Sequence, residues 1–528
     1  MWMIYLSLCA QAQQQSVNPT KTPTVGAIEL PIGFAPRELL IRDQIPEMSR
    51  ETSAPPGPVR NIAEFEPMSG VLIRYPFGIP VSLIVEMSED VTIYCLVSSS
   101  QQSMASTILS AAGVEDVQFI VGDTDSMWTR DYGPWWVVDG TGQVAVVDHT
   151  YNRPRPNDND APLKVSEHLD TAYYASDIIT AGGNYMTEGQ GISASSALVV
   201  EENPDLSIDE IETLMFDYYG IENYHIIEDP NNTYIDHIDC WGKFLSPNKV
   251  LLRQVPESHP QHIELEEVAT YFEEIVNSSG QLWEVFRVQT PGDEPYTNSL
   301  ILNDKVLVPI TSDPPNSFDQ AALETYELAM PGYDVVGFTG SWQSTDALHC
   351  RVKGIPDLHM LQIFHTPVSD STSCFSQGHV VQATVDDLSE TGLIDIAVWW
   401  KNEDMAEYEA IEMAVCEIDI PDCYDATIPF QTTATTIDYY VFASDGSGRS
   451  ETLPMAGSFS FDVDGVEYTP GDVNTDGLVD ILDIITTMTF VLNQASPDPL
   501  QFESADLTCD GTLNVLDLIA LVTLIVEA

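Results

Sequence analysis

Short apolar runs rich in β-branched residues alternate with amphipathic stretches through the first 360 residues of the chain. The strand-like runs lie at 71–76, 91–97, 117–121, 135–138, 144–147, 249–253, 299–302 and 305–309, and helical stretches lie at 105–112, 207–218 and 264–276. Repeated strand–helix alternation is typical of an α/β domain, which we place at residues 60–360. No glycine-rich phosphate-binding loop occurs in this part of the sequence.

Residues 361–466 lose the helical pattern and carry short strands separated by turns. The predicted strands lie at 380–385, 393–400, 408–415, 426–430, 437–443 and 457–463. A run of strands without helices predicts a small all-β sandwich. The stretch 439–446 resembles a late strand of an immunoglobulin-like (Ig-like) or fibronectin-like module, for which we expect a spacer or stabilising role.

The last part of the chain, residues 467–528, contains an internal repeat of a polar loop followed by an apolar, helix-like stretch. Oxygen-bearing residues stand at positions 1, 3, 5, 9 and 12 of each loop, with glycine at position 6, as in calcium-binding loops. They are Asp472, Asn474, Asp476, Asp480 and Asp483 in the first loop, and Asp506, Thr508, Asp510, Asn514 and Asp517 in the second. The alternative is a pair of acidic turns that bind no metal.

With aspartate at position 12, the two loops resemble a type I dockerin, a small all-α domain. The resemblance implies structural Ca²⁺ and a cohesin-like docking partner, and Thr508 should weaken the second site. Positions 10 and 11 of the loops are apolar (Ile481-Leu482 and Val515-Leu516), where a dockerin's partner-contacting residues often lie. These side chains either bind an unusual cohesin or pack internally.

Composition limits the possible functions. The chain has 528 residues, enough for three or four domains, and its 82 acidic residues against 19 Lys and Arg give a net charge of −63. This balance argues against nucleic acid as a partner, because phosphate binding depends on clustered basic side chains. The charge either attracts cationic substrates to an acidic cleft or forms a solvated surface suited to a salty habitat.

The first residues suggest export. Residues 1–12 contain a short apolar stretch before Ala10-Gln11-Ala12, which predicts a signal peptide lacking the usual positive start, followed by a leader at 13–59. A disordered tail is the alternative. No run reaches the ~18 apolar residues of a membrane span. We therefore expect a secreted or surface-attached protein.

Eight cysteines become seven if Cys9 leaves with the signal peptide, so at least one thiol stays unpaired. Cys350 is the candidate for that free thiol. Cys374, Cys416 and Cys423 lie close enough in sequence to allow one disulfide among them, whose pairing the spacing leaves open.

The candidate chemistry is carried by polar residues spread through the α/β region. They are Trp128 and Asp131, then His237 and Asp239, then Asn298, and finally Cys350. A thiol, a histidine and two separated carboxylates suit attack on a guanidinium carbon, because carboxylates grip the flat cation through paired hydrogen bonds. Each residue alone has a structural explanation, and His237 with Asp239 also fits a metal site, so the argument rests on the combination.

Four blocks carry a family resemblance: 128–134, 182–184, 237–239 and 346–350. They are similar to the guanidino-modifying (pentein) superfamily, in its agmatine deiminase and bacterial peptidylarginine deiminase branch. The resemblance covers about residues 60–360 and continues into the sandwich. It implies a five-bladed α/β propeller and no catalytic cofactor. It also implies that Cys350 is the nucleophile, His237 the general acid/base, Asp131 and Asp239 the guanidinium ligands, Asn298 a hydrogen-bonding residue and Tyr234 a substrate-lining residue. Trp128, by its own chemistry, would supply an apolar wall for the methylene groups of arginine.

Two arginines, Arg153 and Arg155, indicate which guanidine is the substrate. They are two of only 19 Lys and Arg residues in the chain. Agmatine has no carboxylate, whereas an arginine at the end of a peptide has one that two guanidiniums can grip, as the resemblance also implies. The sequence therefore predicts deimination of arginine-containing peptides, preferably at a C-terminal arginine. The alternatives are pairing of both arginines with the acidic surface, deimination of agmatine or free arginine, and a non-catalytic surface assembly protein.

Overall fold

The computed structural model describes residues 29–368, 378–417, 420–431, 433–464 and 468–527. The expected signal peptide at 1–12, Cys9 and Cys374 lie outside these residues. In the parts of the chain that are described, no helix is both long enough and apolar enough to cross a membrane.

Residues 60–356 form five small sheets with helices between their strands. The strands are β1 Arg60–Asn61, β2 Met68–Arg74, β3 Thr92–Val97, β4 Val117–Val121, β5 Trp135–Val138, β6 Val144–Tyr151, β7 Ala172–Thr180, β8 Met186–Thr187, β9 Ile192–Ser196, β10 Asn223–Ile227, β11 Gly242–Ser246, β12 Lys249–Gln254, β13 Glu284–Gln289, β14 Leu300–Leu302, β15 Lys305–Ile310, β16 Asp334–Thr339 and β17 Lys353–Pro356. The helices are α1 Val81–Met87, α2 Gln102–Ala111, α3 Thr129–Tyr132, α4 Pro156–Asn159, α5 Ala161–Leu169, α6 Leu198–Glu202, α7 Ile208–Tyr219, α8 His262–Glu274 and α9 Ser317–Ala329. Short 3₁₀ turns lie at Glu38–Leu40, Arg42–Met48, Gly182–Asn184, Ile238–Cys240 and His349–Arg351.

One unit repeats through this region: an antiparallel hairpin, then a helix, then a strand parallel to the second strand of the hairpin. The sheet orders are β1-β5-β6-β7, β10-β9-β8, β11-β12-β13, β14-β15-β16 and β17-β2-β3-β4. In the last of these, β17 from the end of the region pairs antiparallel with β2 from its beginning. The first and last parts of the region therefore share one sheet, and the α/β prediction is confirmed.

Helix α7 shows why these sequences form these elements. Ser207 accepts a hydrogen bond from the Glu210 backbone N–H, and Glu210 reaches back to the Ser207 N–H, so both ends of a capping box are present. Ile211 and Met215, four residues apart, are buried against neighbouring strands. Gly220 ends the helix at a φ of 69°, which glycine adopts without strain.

Residues 361–463 form two antiparallel sheets, as the alternating pattern predicts. The strands are β18 Leu361–His365, β19 His379–Asp387, β20 Leu393–Asn402, β21 Glu409–Glu412, β22 Ala414–Val415, β23 Cys423–Ile428, β24 Thr435–Asp445, β25 Ser450–Leu453 and β26 Phe459–Val463. Their orders are β18-β19-β23-β22 and β21-β20-β24-β25, with β26 also pairing with β24. The run expected as one strand at 408–415 is divided between the two sheets as β21 and β22.

The core of this region lies between the sheets, where Val381 from one sheet and Val398 and Tyr439 from the other are fully buried. Cys416 and Cys423 form a disulfide with a Cα–Cα distance of 5.4 Å. The sequence allowed one disulfide among the 374–423 cysteines, and the structure contains it.

The tail contains α10 Ile481–Val491, α11 Pro499–Ala505 and α12 Val515–Glu527. The first loop ends where Asp480 caps α10, with Asp483 reaching back to the Asp480 N–H. Ile481, Leu482, Val515 and Leu516 are all at least half exposed. Internal packing of these apolar pairs, one of the two expectations for them, is therefore wrong.

Candidate active site

Each of the five sheets contributes the turn that comes just before one of its strands. These turns are α3 before β5, Gly182–Asn184 before β8, Ile238–Cys240 before β11, Asn298 before β14, and His349–Arg351 before β17. They contact one another, and they bring the five predicted catalytic residues into one buried group: Asp131, His237, Asp239, Asn298 and Cys350. Residues spread over 220 positions thus become neighbours because equivalent points of a repeated unit converge.

Cys350 lies in a polar but fully buried setting. Its Sγ accepts a hydrogen bond from Asn298 Nδ2 at 3.2 Å and donates to Asp239 Oδ2 at 3.6 Å, and its backbone N–H donates to Asn298 Oδ1 at 3.3 Å. Burial raises the pKa of the thiol well above its usual value, and the nearby carboxylates of Asp239 and Asp131 raise it further. These effects favour the protonated thiol of Cys350 over the thiolate.

His237 and Asp131 face each other with unused hydrogen-bonding atoms. His237 Nδ1 is 3.6 Å from Asp131 Oδ1. Among the described residues, both carboxylate oxygens of Asp131 and both ring nitrogens of His237 are buried without a hydrogen-bond partner. Burial lowers the pKa of His237 to about 4, which keeps the ring neutral and able to accept a proton.

The two carboxylates of the site differ in charge state. For Asp131, burial and the neighbouring charge of Asp239 raise the pKa well above its usual value. For Asp239, burial also raises the pKa, but the hydrogen bond and charge of His349 outweigh it, and the pKa falls below its usual value. The two directions favour the ionised form at Asp239 more than at Asp131, and a positive group beside Asp131 would favour its ionised form.

A buried charge network lies beside Asp239. Glu64 accepts hydrogen bonds from Lys243 Nζ at 2.7 Å, Arg130 Nη2 at 2.6 Å and His349 Nε2 at 2.8 Å. His349 Nδ1 also donates to Asp239 Oδ2 at 2.7 Å. Burial raises the pKa of Glu64, but these cations together bring it well below its usual value.

His349 is held between two carboxylates, and opposing effects act on it. Burial and the charges of Arg130 and Lys243 bring its pKa below its usual value, although Glu64 and Asp239 act to raise it. Both ring nitrogens lie within 2.8 Å of a carboxylate oxygen, and each contact needs an N–H. The geometry therefore supports a protonated imidazolium.

Sequence reasoning did not find this network. Arg130 and His349 adjoin predicted residues, so their position beside Asp131 and Cys350 was an available signal. Glu64 and Lys243 stand in no recognisable motif, and their role becomes visible only from the contacts.

The turn Gly182–Asn184 shapes the bottom of the site. A Cβ on Gly183 would lie 2.7 Å from Asp131 Oδ1, 2.8 Å from His237 Nδ1 and 3.1 Å from Asp239 Oδ2. Asn184 Oδ1 accepts hydrogen bonds from the backbone N–H of Ile238 at 3.2 Å and of Ser196 at 2.9 Å. Gly183 thus leaves open space among the predicted catalytic side chains, and Asn184 holds the turn that carries His237 and Asp239.

The expected substrate-lining residues lie around this group. Trp128 is buried, with the Arg351 guanidinium 5.4 Å from its ring and its indole N–H free of any partner in the described residues. Tyr234 is 66% exposed, and its hydroxyl is 3.3 Å from Thr345 Oγ1, five residues before Cys350. Trp128 is thus enclosed within the fold, whereas Tyr234 lies at its surface.

Arg153 and Arg155 are buried rather than open to a ligand. Arg155 forms a double hydrogen bond with the Glu38 carboxylate, at 3.0 and 3.1 Å. Arg153 lies over the Phe34 ring and is 3.9 Å from Glu202. In this structure both arginines contact acidic or aromatic side chains of the same chain. To bind a substrate carboxylate as predicted, they would have to give up those contacts.

The predicted calcium ligands lie in two turns of the tail, closed by hydrogen bonds. Asp483 and Asp517 are fully buried, and each accepts from the backbone N–H at position 3 of its loop, Asn474 at 2.9 Å and Thr508 at 3.0 Å. Asp506 Oδ1 is buried without a partner among the described residues. Within those residues, no group of three or more His, Cys, Asp or Glu side chains converges on a metal position. The loops therefore have the ligand types for calcium, but the carboxylates face backbone N–H groups.

This site on an α/β pentein fold defines a hydrolase that acts on C–N bonds of linear amidines. The chain belongs to the Porphyromonas-type peptidyl-arginine deiminase family, whose model matches residues 79–356, more than half of its length. The tail is a type I dockerin domain, matched over residues 470–525.

Relatives and solved structures agree with this assignment. A Legionella pneumophila protein provisionally named agmatine deiminase is 25% identical over 307 residues, which cover 53% of this chain and 85% of that protein. The solved agmatine deiminase of Enterococcus faecalis superposes with a TM-score of 0.53 at 20% identity, covering 58% of this chain and 99% of the other. A Porphyromonas gingivalis structure, provisionally an arginine deiminase, gives a TM-score of 0.50 at 16% identity and covers 56% and 98%. At these identities the structural likeness shows the fold alone.

Proposed function

We propose that the protein is a secreted peptidylarginine deiminase, which converts arginine, preferably at the C-terminus of a peptide, to citrulline and ammonia. The observation that carries the proposal is the buried carboxylate of Asp131, whose two oxygens have no donor among the described residues and face a neutral His237. A guanidinium supplies N–H donors in the planar arrangement that carboxylates accept. Cys350 lies within the same buried group.

The proposed reaction starts when the guanidinium binds between Asp131 and Asp239. Its charge lowers the pKa of the Cys350 thiol, whose proton passes to His237 as the thiolate adds to the guanidinium carbon. His237 then protonates the departing nitrogen, so that ammonia leaves and a thiouronium remains. His237 next takes a proton from an attacking water molecule. Collapse of the second adduct expels the Cys350 thiolate, which takes the proton back from His237, and the hydroxyl proton of the adduct passes to solvent to leave the neutral ureido group of citrulline.

Asn298 positions the Cys350 thiol in this scheme. Its amide donates to Cys350 Sγ and accepts from the Cys350 backbone N–H, so the side chain fixes the direction of the thiol from two sides. A hydrogen bond to sulfur also favours the thiolate over the thiol. No step of the scheme uses a metal or an organic cofactor.

Deimination of agmatine is the second candidate, and one observation favours it. The guanidinium of Arg155, predicted to hold a substrate carboxylate, is already paired with Glu38. A substrate without a carboxylate, such as agmatine, needs no change in that pair.

The other domains support a role outside the cell. We propose that the dockerin domain binds Ca²⁺ through its two loops and docks onto a cohesin-like partner, with Ile481, Leu482, Val515 and Leu516 at the contact. Their exposure supports this, since large apolar side chains grouped on a surface are typical of interaction sites. We also propose that the five sheets form a five-bladed propeller and that the two-sheet region is an Ig-like spacer.

The test is to measure ammonia and ureido product from three substrates: a peptide ending in arginine, the same peptide with its terminal carboxylate amidated, and agmatine. Cys350→Ala is the blank, and Cys95→Ala, which removes another buried thiol far along the chain, is the matched control. Preference for the first substrate supports the proposal, and preference for agmatine supports the second candidate. If Cys350→Ala keeps even about a hundredth of the rate, the nucleophile assignment is wrong.

A further inference from the structure

Two of the three guanidinium nitrogens of Arg155, Nε and Nη2, donate to the N-terminal segment, defined here as residues 29–48. Its Nε and Nη2 donate to the two oxygens of Glu38 at 3.0 and 3.1 Å. Nη2 also donates to the carbonyl oxygens of Pro31 and Gly33 at 2.6 and 2.9 Å, and Nη1 donates to the Tyr151 hydroxyl at 3.4 Å. The Glu38 contact is the two-pronged geometry with which arginine holds a carboxylate.

The same segment engages Arg153. Its Nε donates to the carbonyl oxygen of Ile32 at 3.1 Å, and its guanidinium carbon lies 4.6 Å from the centre of the Phe34 ring. Glu202 adds a negative charge 3.9 Å away. Both members of the arginine pair are therefore covered by residues 31–38.

The segment lies in a defined place on the catalytic region. Ile32 and Ile45 are buried, and Glu29 pairs with Arg74 at 2.8 Å. Glu38 is 3% exposed, although it is a carboxylate in a segment with only short 3₁₀ turns. A glutamate is seldom buried unless it is paired, so the Arg155 contact explains why Glu38 lies inside.

The arginine pair lies close to the catalytic group. It follows directly after β6, in which His149 Nε2 is 3.0 Å from the backbone oxygen of Asp131. Gly33, which contacts Arg155, lies against Tyr234, because a Cβ at Gly33 would be 2.8 Å from that ring. The charges of both arginines also act to lower the pKa of Asp131, against the larger effect of burial.

We infer that Glu38 is a specificity-determining residue, which occupies the subsite for the substrate's terminal carboxylate. The inference rests on the proposed function, since it takes Arg153 and Arg155 as the carboxylate-binding pair. While Glu38 is paired with Arg155, the site accepts guanidines that have no carboxylate able to reach the two arginines. When the N-terminal segment is displaced, the same arginines bind a peptide that ends in arginine.

Charge and geometry explain why the two states exclude each other. Every nitrogen of Arg155 is already donating, and a buried guanidinium cannot hold two carboxylates side by side without strong repulsion between them. An incoming carboxylate must therefore replace Glu38 rather than join it. Glu38→Gln keeps the size of the side chain and one acceptor oxygen but removes the competing charge.

The test measures binding by calorimetry, in the inactive Cys350→Ala background, so that it does not depend on turnover. The ligands are a peptide ending in arginine and the same peptide with its carboxylate amidated. We expect Glu38→Gln to tighten binding of the free-carboxylate peptide at least tenfold and to leave binding of the amidated peptide unchanged. Glu47→Gln, in the same segment but exposed, is the matched control.

Equal affinity of the free-carboxylate peptide with and without Glu38→Gln would overturn the inference. If Glu38→Gln does not fold, trypsin treatment of the folded Cys350→Ala chain provides the test, because Arg37 and Arg42 in the segment are exposed. Cleavage there, located by mass spectrometry, should give the same gain in affinity, and no gain would contradict the inference. If the enzyme with Cys350 intact releases no ureido product from any of the three substrates, that result would instead count against the proposed function.

Discussion

His349 Nδ1 donates a hydrogen bond of 2.7 Å to Oδ2 of Asp239, and both side chains are buried. The contact does two things at once. It fixes the direction of a carboxylate that Cys350 Sγ also touches, and it helps to bring the pKa of Asp239 below its usual value. His349 itself is held from the other side by Glu64. His349, next to Cys350 in the sequence, therefore contacts this group through Asp239.

We expect His349→Gln to lower kcat about a hundredfold, because a small misplacement of Asp239 disturbs the aligned site. The acid limb of the pH profile of kcat/KM should also move to higher pH. Without the His349 contact the pKa of Asp239 rises, so Asp239 becomes protonated earlier as the pH falls. Rate measurements from pH 4 to pH 8 check this. The exposed His168→Gln is the control, and an unshifted acid limb would contradict the role.

Glu64→Gln should destabilise the fold by about 3–5 kcal/mol at pH 7, because it leaves Lys243 and Arg130 buried without their counter-charge. Glu64 has a lowered pKa in the folded state, so its contribution is present above the unfolded pKa and is lost as the pH falls through the folded value. The difference from the unchanged protein should therefore shrink towards acid pH. Urea unfolding at several pH values measures it, with the exposed Glu267→Gln as control.

Gly183→Ala should abolish turnover while leaving a folded protein. The added methyl group would lie within 3.1 Å of Asp131, His237 and Asp239, in the space the guanidinium needs. Steady-state rates and circular dichroism check the two halves of this prediction. Gly57→Ala is the matched control, because a Cβ there meets no atom within 4 Å. An active Gly183→Ala enzyme would show that the substrate binds elsewhere.

In the protein without bound ligand, the thiol of Cys350 should stay protonated at neutral pH, since burial and the carboxylates of Asp239 and Asp131 raise its pKa. Thiolate absorbance near 240 nm, taken as the difference from Cys350→Ala, should therefore be absent at pH 7. It should appear at lower pH when a small guanidinium ion is added, because a positive charge favours the thiolate. A full thiolate signal at pH 7 without any ligand would contradict this.

The dockerin domain should bind two Ca²⁺ ions with different affinities. The first loop offers Asn474 at position 3, whereas the second offers Thr508, whose hydroxyl is a weaker ligand. Calcium titration by calorimetry should resolve a tight and a weak site, and Thr508→Asp should strengthen the weak one. Asp404→Asn, exposed in the two-sheet region, is the control. Identical thermal unfolding of the full chain with calcium and with chelator would contradict calcium binding.

The sequence was sufficient to predict those strands and helices whose bounds depend on neighbouring residues alone. The strands at Trp135–Val138 and Val117–Val121 have the bounds that their apolar runs predict, and the helix predicted at 207–218 lies at Ile208–Tyr219, with Ser207 as its cap. The division of 408–415 into β21 and β22 was not predictable, because the two halves pair with different sheets.

In the candidate site, too, some features could be predicted from the sequence and others only from the structure. The sequence by itself determined which residue types are available for guanidine chemistry, since Cys350, His237, Asp131 and Asp239 stand in recognisable blocks. Only the tertiary structure decided their charge states, because these depend on burial and on partners far away in the chain. Glu38 reaches Arg155 across 117 positions, and Glu64 reaches His349 across 285. A residue's type is local information, but its counter-charge and its access to solvent are set by contacts that only folding creates.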